Sequence, residues 1–228
     1  EGCIASTRLA LSLAERTGAR LHVLHVTTSE EIDLFAPYAD KDQISCEVCP
    51  QHWLFSDRDY AKWGNFLKVN PAIKTAEDSA ALWAAIQAGT VSLIGSDHAP
   101  HTQAEKNEPY SGSPSGMPMV QHRMYVLLEA ALRGEITLPD VVRLCSHAPA
   151  LRCGIRERGV LAEGYFADIA VFTRVAPATV PVQYACGWSV LEDRLFSTRC
   201  TYTWVNGRLV WEKGKHIAGI YGQRLAFC

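Results

Sequence analysis

TVSLIGSDHAPH, residues 90–101, decides how the chain is read. Thr90 to Gly95 is an apolar run of strand length, of the kind a parallel strand buried on both faces carries. It gives way at once to a carboxylate and two imidazoles, Asp97, His98 and His101. In α/β enzymes the carboxyl ends of parallel strands are where sites are built, so Asp97 reads as a candidate metal ligand or base. The plain alternative is an ordinary helix cap.

The segments around this stretch alternate helix and strand. IASTRLALSLAERTG places apolar residues at helical spacing and stops at Gly18, before the strand-like RLHVLHV. A short helix from about Ser29, ending before Pro37, leads to the strand-like ISCEVC. FLKVNP is a shorter extended piece stopped by Pro71, and SAALWAAIQAG is a helix closing on Gly89. Thr102 to Met119 is a long Gly, Pro and Ser-rich loop of the kind that lines sites, after which helices are expected over Val120–Leu132 and Leu138–Cys145. The alternation predicts βα units around a parallel sheet, with three good strands. Past about Gly159 the pattern changes to alternating strands, YFADIAVFT and RCTYTWVNGRLVWEKG, and Asn206-Gly207 marks a hairpin. Two domains are therefore expected: residues 1–158 as the βα part carrying the strand ends, and 159–228 as a small β lobe.

Composition narrows the function classes. With 228 residues, 48% of them hydrophobic, the chain can build one sizeable core and a small second lobe. A net charge of -2 without runs of like charge offers no field to recruit nucleic acid or anionic lipid. The apolar stretches fall far short of the ~20 residues of a membrane helix. Eight scattered cysteines in a chain too large to need stapling read as reduced thiols in the cytoplasm. The first residue is Glu1, which reads as processing or as a fragment.

Strand alternation separates His22 from His25, since only the residue at the carboxyl end of the strand reaches a site, and His25 is the better candidate. Cys46 and Cys49 form a CxxC, yet on a strand residues three apart face opposite sides, so the pair does not chelate one ion without a turn. Glu47, flanked by apolar neighbours, needs a partner or a metal, and a salt bridge serves as well. His52 and Asn70 follow strand or extended segments as Asp97 does, and three consecutive strand ends with polar residues read as one face of a barrel; the plain alternatives, taken one by one, are a surface loop histidine and simple turn chemistry. His122, His147 and His216 have no carboxylate or cysteine at ligand spacing and read as structural.

LHVLHVTT (21–28), CEVCPQHWLF (46–55), FLKVNPAIKT (66–75), SDHAPHTQAEK (96–106) and SPSGMP (113–118), in this order, resemble the dihydroorotases of the amidohydrolase superfamily, close to hydantoinases and allantoinases. GYFADIAVF and VNGRLVWEKG resemble that superfamily's small β lobe. The resemblance implies the C-terminal part of a (β/α)8 TIM-type barrel plus that lobe, one or two zinc ions, and reversible ring-opening hydrolysis of dihydroorotate in pyrimidine biosynthesis. It makes His25 a ligand of the second metal, and Asp97 both a ligand of the first and the catalytic proton shuttle. Asn70, His101 and the backbone around Ser115 and Gly116 become substrate-binding positions for a small molecule with a carboxylate, and Glu47 a weaker ligand candidate. The family's His-x-His, its carboxylated lysine or aspartate and a further histidine ligand would all precede Glu1. Lys74 stands where many relatives have arginine, and SHAPA replaces the commoner Asn-Pro-Ala. A homo-oligomer is left open; nucleic acid and membrane are not expected partners. The rival readings are a hydantoinase, dihydropyrimidinase or allantoinase, and a non-catalytic dihydroorotase-like scaffold.

Overall fold

Thr7, Leu11 and Ala14 recur at helical spacing and form the buried stripe of the first helix, α1 (Gly2–Thr17). Gly18 ends it at φ 71, a left-handed cap that a residue without Cβ adopts freely. The computed structural model describes residues 1–39, 41–219 and 222–228. They divide into two compact units, residues 1–123 with 181–192, and residues 124–180 with 193–228.

The first unit is built on a three-stranded parallel sheet in the order β1 (Leu21–Val23), β2 (Ile44–Val48), β3 (Leu93–Ile94). These are the three strands that the sequence predicts, but shorter. The central strand is shared in a stagger: β1 pairs with residues 44–46, while β3 pairs with Glu47 and Val48. FLKVNP stays outside the sheet. Its first part is a 3-10 turn, Gly64–Leu67, and the Lys68 carbonyl is taken by Gly116 N–H and by the Lys106 ammonium instead of by a strand.

Helices follow the strands as the cap chemistry directs. Thr28 caps α2 (Ser29–Phe35) by accepting from the Glu31 N–H, and Ile32 and Phe35 are buried. The short α3 (Pro50–Leu54) begins directly after β2 with proline in its first turn, and α4 is the single turn Tyr60–Trp63. Thr75 caps α5 (Ala76–Ala88), which ends on Gly89 at φ 82. The Asp78 carboxylate accepts from Ser29 N–H at 2.9 Å, tying α5 to the start of α2. Leu82 of α5 is completely buried, so Leu82→Ala is expected to lower stability by about 2–5 kcal/mol through lost burial and a residual cavity, read from denaturant melts.

The second unit carries a four-stranded antiparallel meander, β4 (Ile169–Ala178), β5 (Phe196–Val205), β6 (Arg208–Glu212) and β7 (Lys215–His216). The expected hairpin joins β5 to β6 through Asn206 and Gly207, at φ 52 and 76, the left-handed pair that such a turn requires. Tyr125 packs edge-on against Phe172 at 5.5 Å, and its hydroxyl accepts from Cys200 N–H. Among the described residues no helix is long and apolar enough to cross a membrane.

Candidate active site at the strand ends

His25 lies just past β1 and Asp97 just past β3, at the same end of one parallel sheet. Both adopt left-handed backbone angles, φ 39 and φ 45, although neither is glycine. Such conformations cost roughly 1–3 kcal/mol and gather at functional sites, where neighbouring structure holds them in place. Here the neighbours are ladder bonds beside each residue, Val26 N–H to Glu47 O at 2.9 Å and Gly95 N–H to Val48 O at 3.1 Å. The central strand thus grips both of the strands that present the two side chains.

Glu47 projects from that central strand. Its carboxylate accepts from His22 Nε2 at 3.3 Å, while His22 Nδ1 meets Ser45 Oγ at 2.8 Å. A Cβ at position 95 would collide with the Glu47 carboxylate, so Gly95 leaves the room that the acid occupies. The need of Glu47 for a partner is met by the histidine that strand alternation turns away from the site end. Cys46 and Cys49 are both buried free thiols, and burial raises the Cys46 thiol to about 12 and the Cys49 thiol further.

The SDHAPH turn is tied down on two sides. His98 Nδ1 accepts from Met119 N–H at 3.1 Å, which leaves the neutral ring's proton on Nε2, and burial lowers its pKa. Its ring lies 5.1 Å from that of Tyr184. His101 Nε2 reaches Ser115 O at 3.2 Å, and the His101 carbonyl accepts from Trp188 Nε1 at 2.7 Å. Gly116 sits at φ 138, where a Cβ would strike Ala99 and His101. Four candidate substrate residues are involved: His101, Ser115 and Gly116 meet directly, and Gly116 N–H donates to Lys68 O, two residues before the exposed Asn70. The Gly116 N–H is therefore committed to the protein itself, and what this loop offers a ligand is its other groups.

The remaining histidines resolve differently. His52 is buried in α3 with Nε2 on Pro71 O at 3.1 Å, and burial lowers its pKa to about 4, so it is a neutral core residue. His122, also buried, meets Tyr184 Oη at 3.1 Å and Ser189 Oγ at 3.3 Å. Two residues that the motif reading passed over are notable. Gln51, beside His52, is fully buried with no hydrogen-bond partner at either amide atom. Lys106 is buried with its ammonium on three carbonyls. The only signal for Lys106 in the sequence is its place at the end of SDHAPHTQAEK, five residues past His101.

As a metal site the arrangement is incomplete. His25 and Asp97 are the donors at the strand ends, and Glu47 is engaged with His22. Among the described residues no three His, Cys, Asp or Glu side chains converge to hold an ion, so this donor set does not by itself fit zinc.

Comparison with known proteins agrees with the fold and with the motifs. The chain is 32% identical over 212 residues to a dihydroorotase of Lactobacillus acidophilus, covering 90% of this chain and 49% of that protein. It is 30% identical over 224 residues to a dihydroorotase of Methanosarcina mazei, covering 92% and 48%. The chain thus spans about half the length of the curated relatives it matches. Among solved structures, the L-hydantoinase (dihydropyrimidinase) of Arthrobacter aurescens superposes with a TM-score of 0.88 at 24% identity, over 97% of this chain and 51% of that one. Residues 16–211 match the model of the amidohydrolase family, and with the parallel sheet, the strand-end His25 and Asp97 and these relatives, the chain belongs to that family.

Proposed function

We propose that the whole protein to which this chain belongs is a dihydroorotase, hydrolysing the cyclic amide of dihydroorotate to N-carbamoyl-aspartate, and the reverse, in pyrimidine biosynthesis. The observation that carries the reading is the placement of His25 and Asp97, both left-handed, at one end of one sheet, with His101, four residues past Asp97, braced against Ser115. The dihydroorotase relatives support the choice of substrate over that of a hydantoinase or dihydropyrimidinase, whose fold is similar, and over that of an allantoinase. In this reading residues 1–158 are part of a (β/α)8 barrel and 159–228 its β lobe, and the protein works in the cytoplasm. The whole enzyme takes one or two zinc ions, to which this chain would contribute His25 and Asp97. The incomplete donor set favours a second reading, a non-catalytic dihydroorotase-like scaffold.

The chemistry assigned to this chain is proton transfer and orientation. The Asp97 carboxylate accepts a proton as water oxygen bonds to the amide carbon, then returns it to the ring nitrogen as the carbon–nitrogen bond breaks. A carboxylate bound nearby wants cationic and amide donors. His101, whose Nε2 is fixed on Ser115 O, offers Nδ1–H when protonated, and Asn70 offers its amide. Asn70→Ala and His101→Ala in the full-length protein are therefore expected to raise KM for dihydroorotate by about tenfold or more each, the scale of one lost charge-assisted hydrogen bond, and to spare an analogue lacking the carboxylate. Steady-state kinetics on the two compounds tests this, and equal losses would show that the residues shape the site without reading the carboxylate.

A further inference from the structure

Lys106 closes α6, the one-turn helix Gln103–Lys106, whose Thr102 cap and Glu105 form a reciprocal capping box. Only 1% of Lys106 is exposed. Its Nζ donates to Lys68 O at 3.1 Å, Pro114 O at 2.9 Å and Gly116 O at 2.9 Å. An ammonium has three N–H groups, and all three are used. Burial first, and the neighbouring Lys68 ammonium after it, bring the Lys106 pKa down to about 8. A buried cation without a carboxylate is a costly way to hold a loop, and it is retained where its geometry matters.

The three carbonyls come from two segments far apart in the chain, Lys68 and Pro114–Gly116, and each segment leads to a candidate substrate residue. Lys68 is two residues before Asn70, Pro114 and Gly116 flank Ser115, and Lys106 itself stands five residues past His101. Lys68 reinforces the same loop separately, its own Nζ donating to Tyr110 O at 2.6 Å and to Ser113 O at 2.5 Å. We propose that Lys106 is the positioning residue of the carboxylate-binding end of the site, its ammonium fixing the Asn70, His101 and Ser115–Gly116 segments relative to one another. The substrate in this statement rests on the dihydroorotase reading above; the joining of the three segments does not.

The test uses the full-length protein with Lys106→Met, which keeps the stem and removes every donor, and Lys106→Gln, which restores two neutral N–H groups. Hydrogen exchange followed by mass spectrometry should show faster exchange in both 65–70 and 113–117 for Lys106→Met, with partial recovery in Lys106→Gln. In kinetics, KM for dihydroorotate should rise tenfold or more in Lys106→Met, while turnover of the carboxylate-free analogue stays within twofold. A purely structural lysine would lower Tm and alter both substrates alike, and that result would overturn the proposal. So would loosening confined to residues 103–106. Should Lys106→Met fail to fold, Lys106→Gln carries both measurements, with intermediate effects expected and unchanged exchange and KM counting against the proposal. If the wild-type protein does not turn over dihydroorotate, the dihydroorotase reading fails, and the exchange pattern alone then decides whether Lys106 joins the three segments.

Discussion

Asp97→Ala in the full-length protein is expected to abolish measurable ring opening while leaving a folded molecule. A positioned proton carrier contributes roughly 10²–10⁴-fold, and this one is asked to act twice in each turnover, on the attacking water and on the leaving nitrogen. Asp97→Asn is the sharper control. Its amide keeps the shape and tolerates the left-handed backbone at φ 45, but does not accept the proton. A drop of at least about 10²-fold in kcat for both variants, with thermal melts close to wild type, agrees with the assignment. Retention of most of the activity by Asp97→Asn would move the proton to another group and reduce Asp97 to a loop residue.

The 228-residue chain expressed by itself is expected to carry well under one zinc ion per molecule and to show no turnover in either direction. A zinc site takes three or four protein ligands. At the strand ends this chain offers His25 and Asp97, while Glu47 is already held by His22 at 3.3 Å, and no cluster of three donors forms among the described residues. Metal analysis of the purified chain, together with assays of dihydroorotate hydrolysis and synthesis, checks the expectation. Stoichiometric zinc with turnover in a monodisperse sample would mean that a histidine assigned to the core or to a loop completes the site.

The longer helices were legible because their signals are local: the apolar spacing of IASTRLALSLAERTG and the stops Gly18 and Gly89 act within a few residues of themselves. The three parallel strands were legible in place but not in length. A ladder ends where its neighbour ends, and the stagger that leaves β3 with a two-residue pairing is a property of β2 and its partners, invisible in TVSLIGSD alone. The separation of His22 from His25 followed from alternation, and the structure places His22 on Glu47 and His25 beyond the strand. What the sequence withheld was every feature made by distant segments meeting. The burial of His52 against Pro71, the unpartnered amide of Gln51 and the three carbonyls around Lys106 belong to this class. A one-turn helix such as α6 has no periodicity to announce which side is covered.

The left-handed angles at His25 and Asp97 make the fold carry a standing opposition between durability and chemistry. For the fold alone, glycine would be the comfortable residue at either position, since it adopts positive φ at no steric cost. A lineage that no longer needed the imidazole and the carboxylate would gain stability by giving them up, one mutational step from aspartate and without disturbing the sheet. The two positions therefore work as an evolutionary gauge: the side chains are kept against the preference of their own backbone only while something bound at the strand ends requires them.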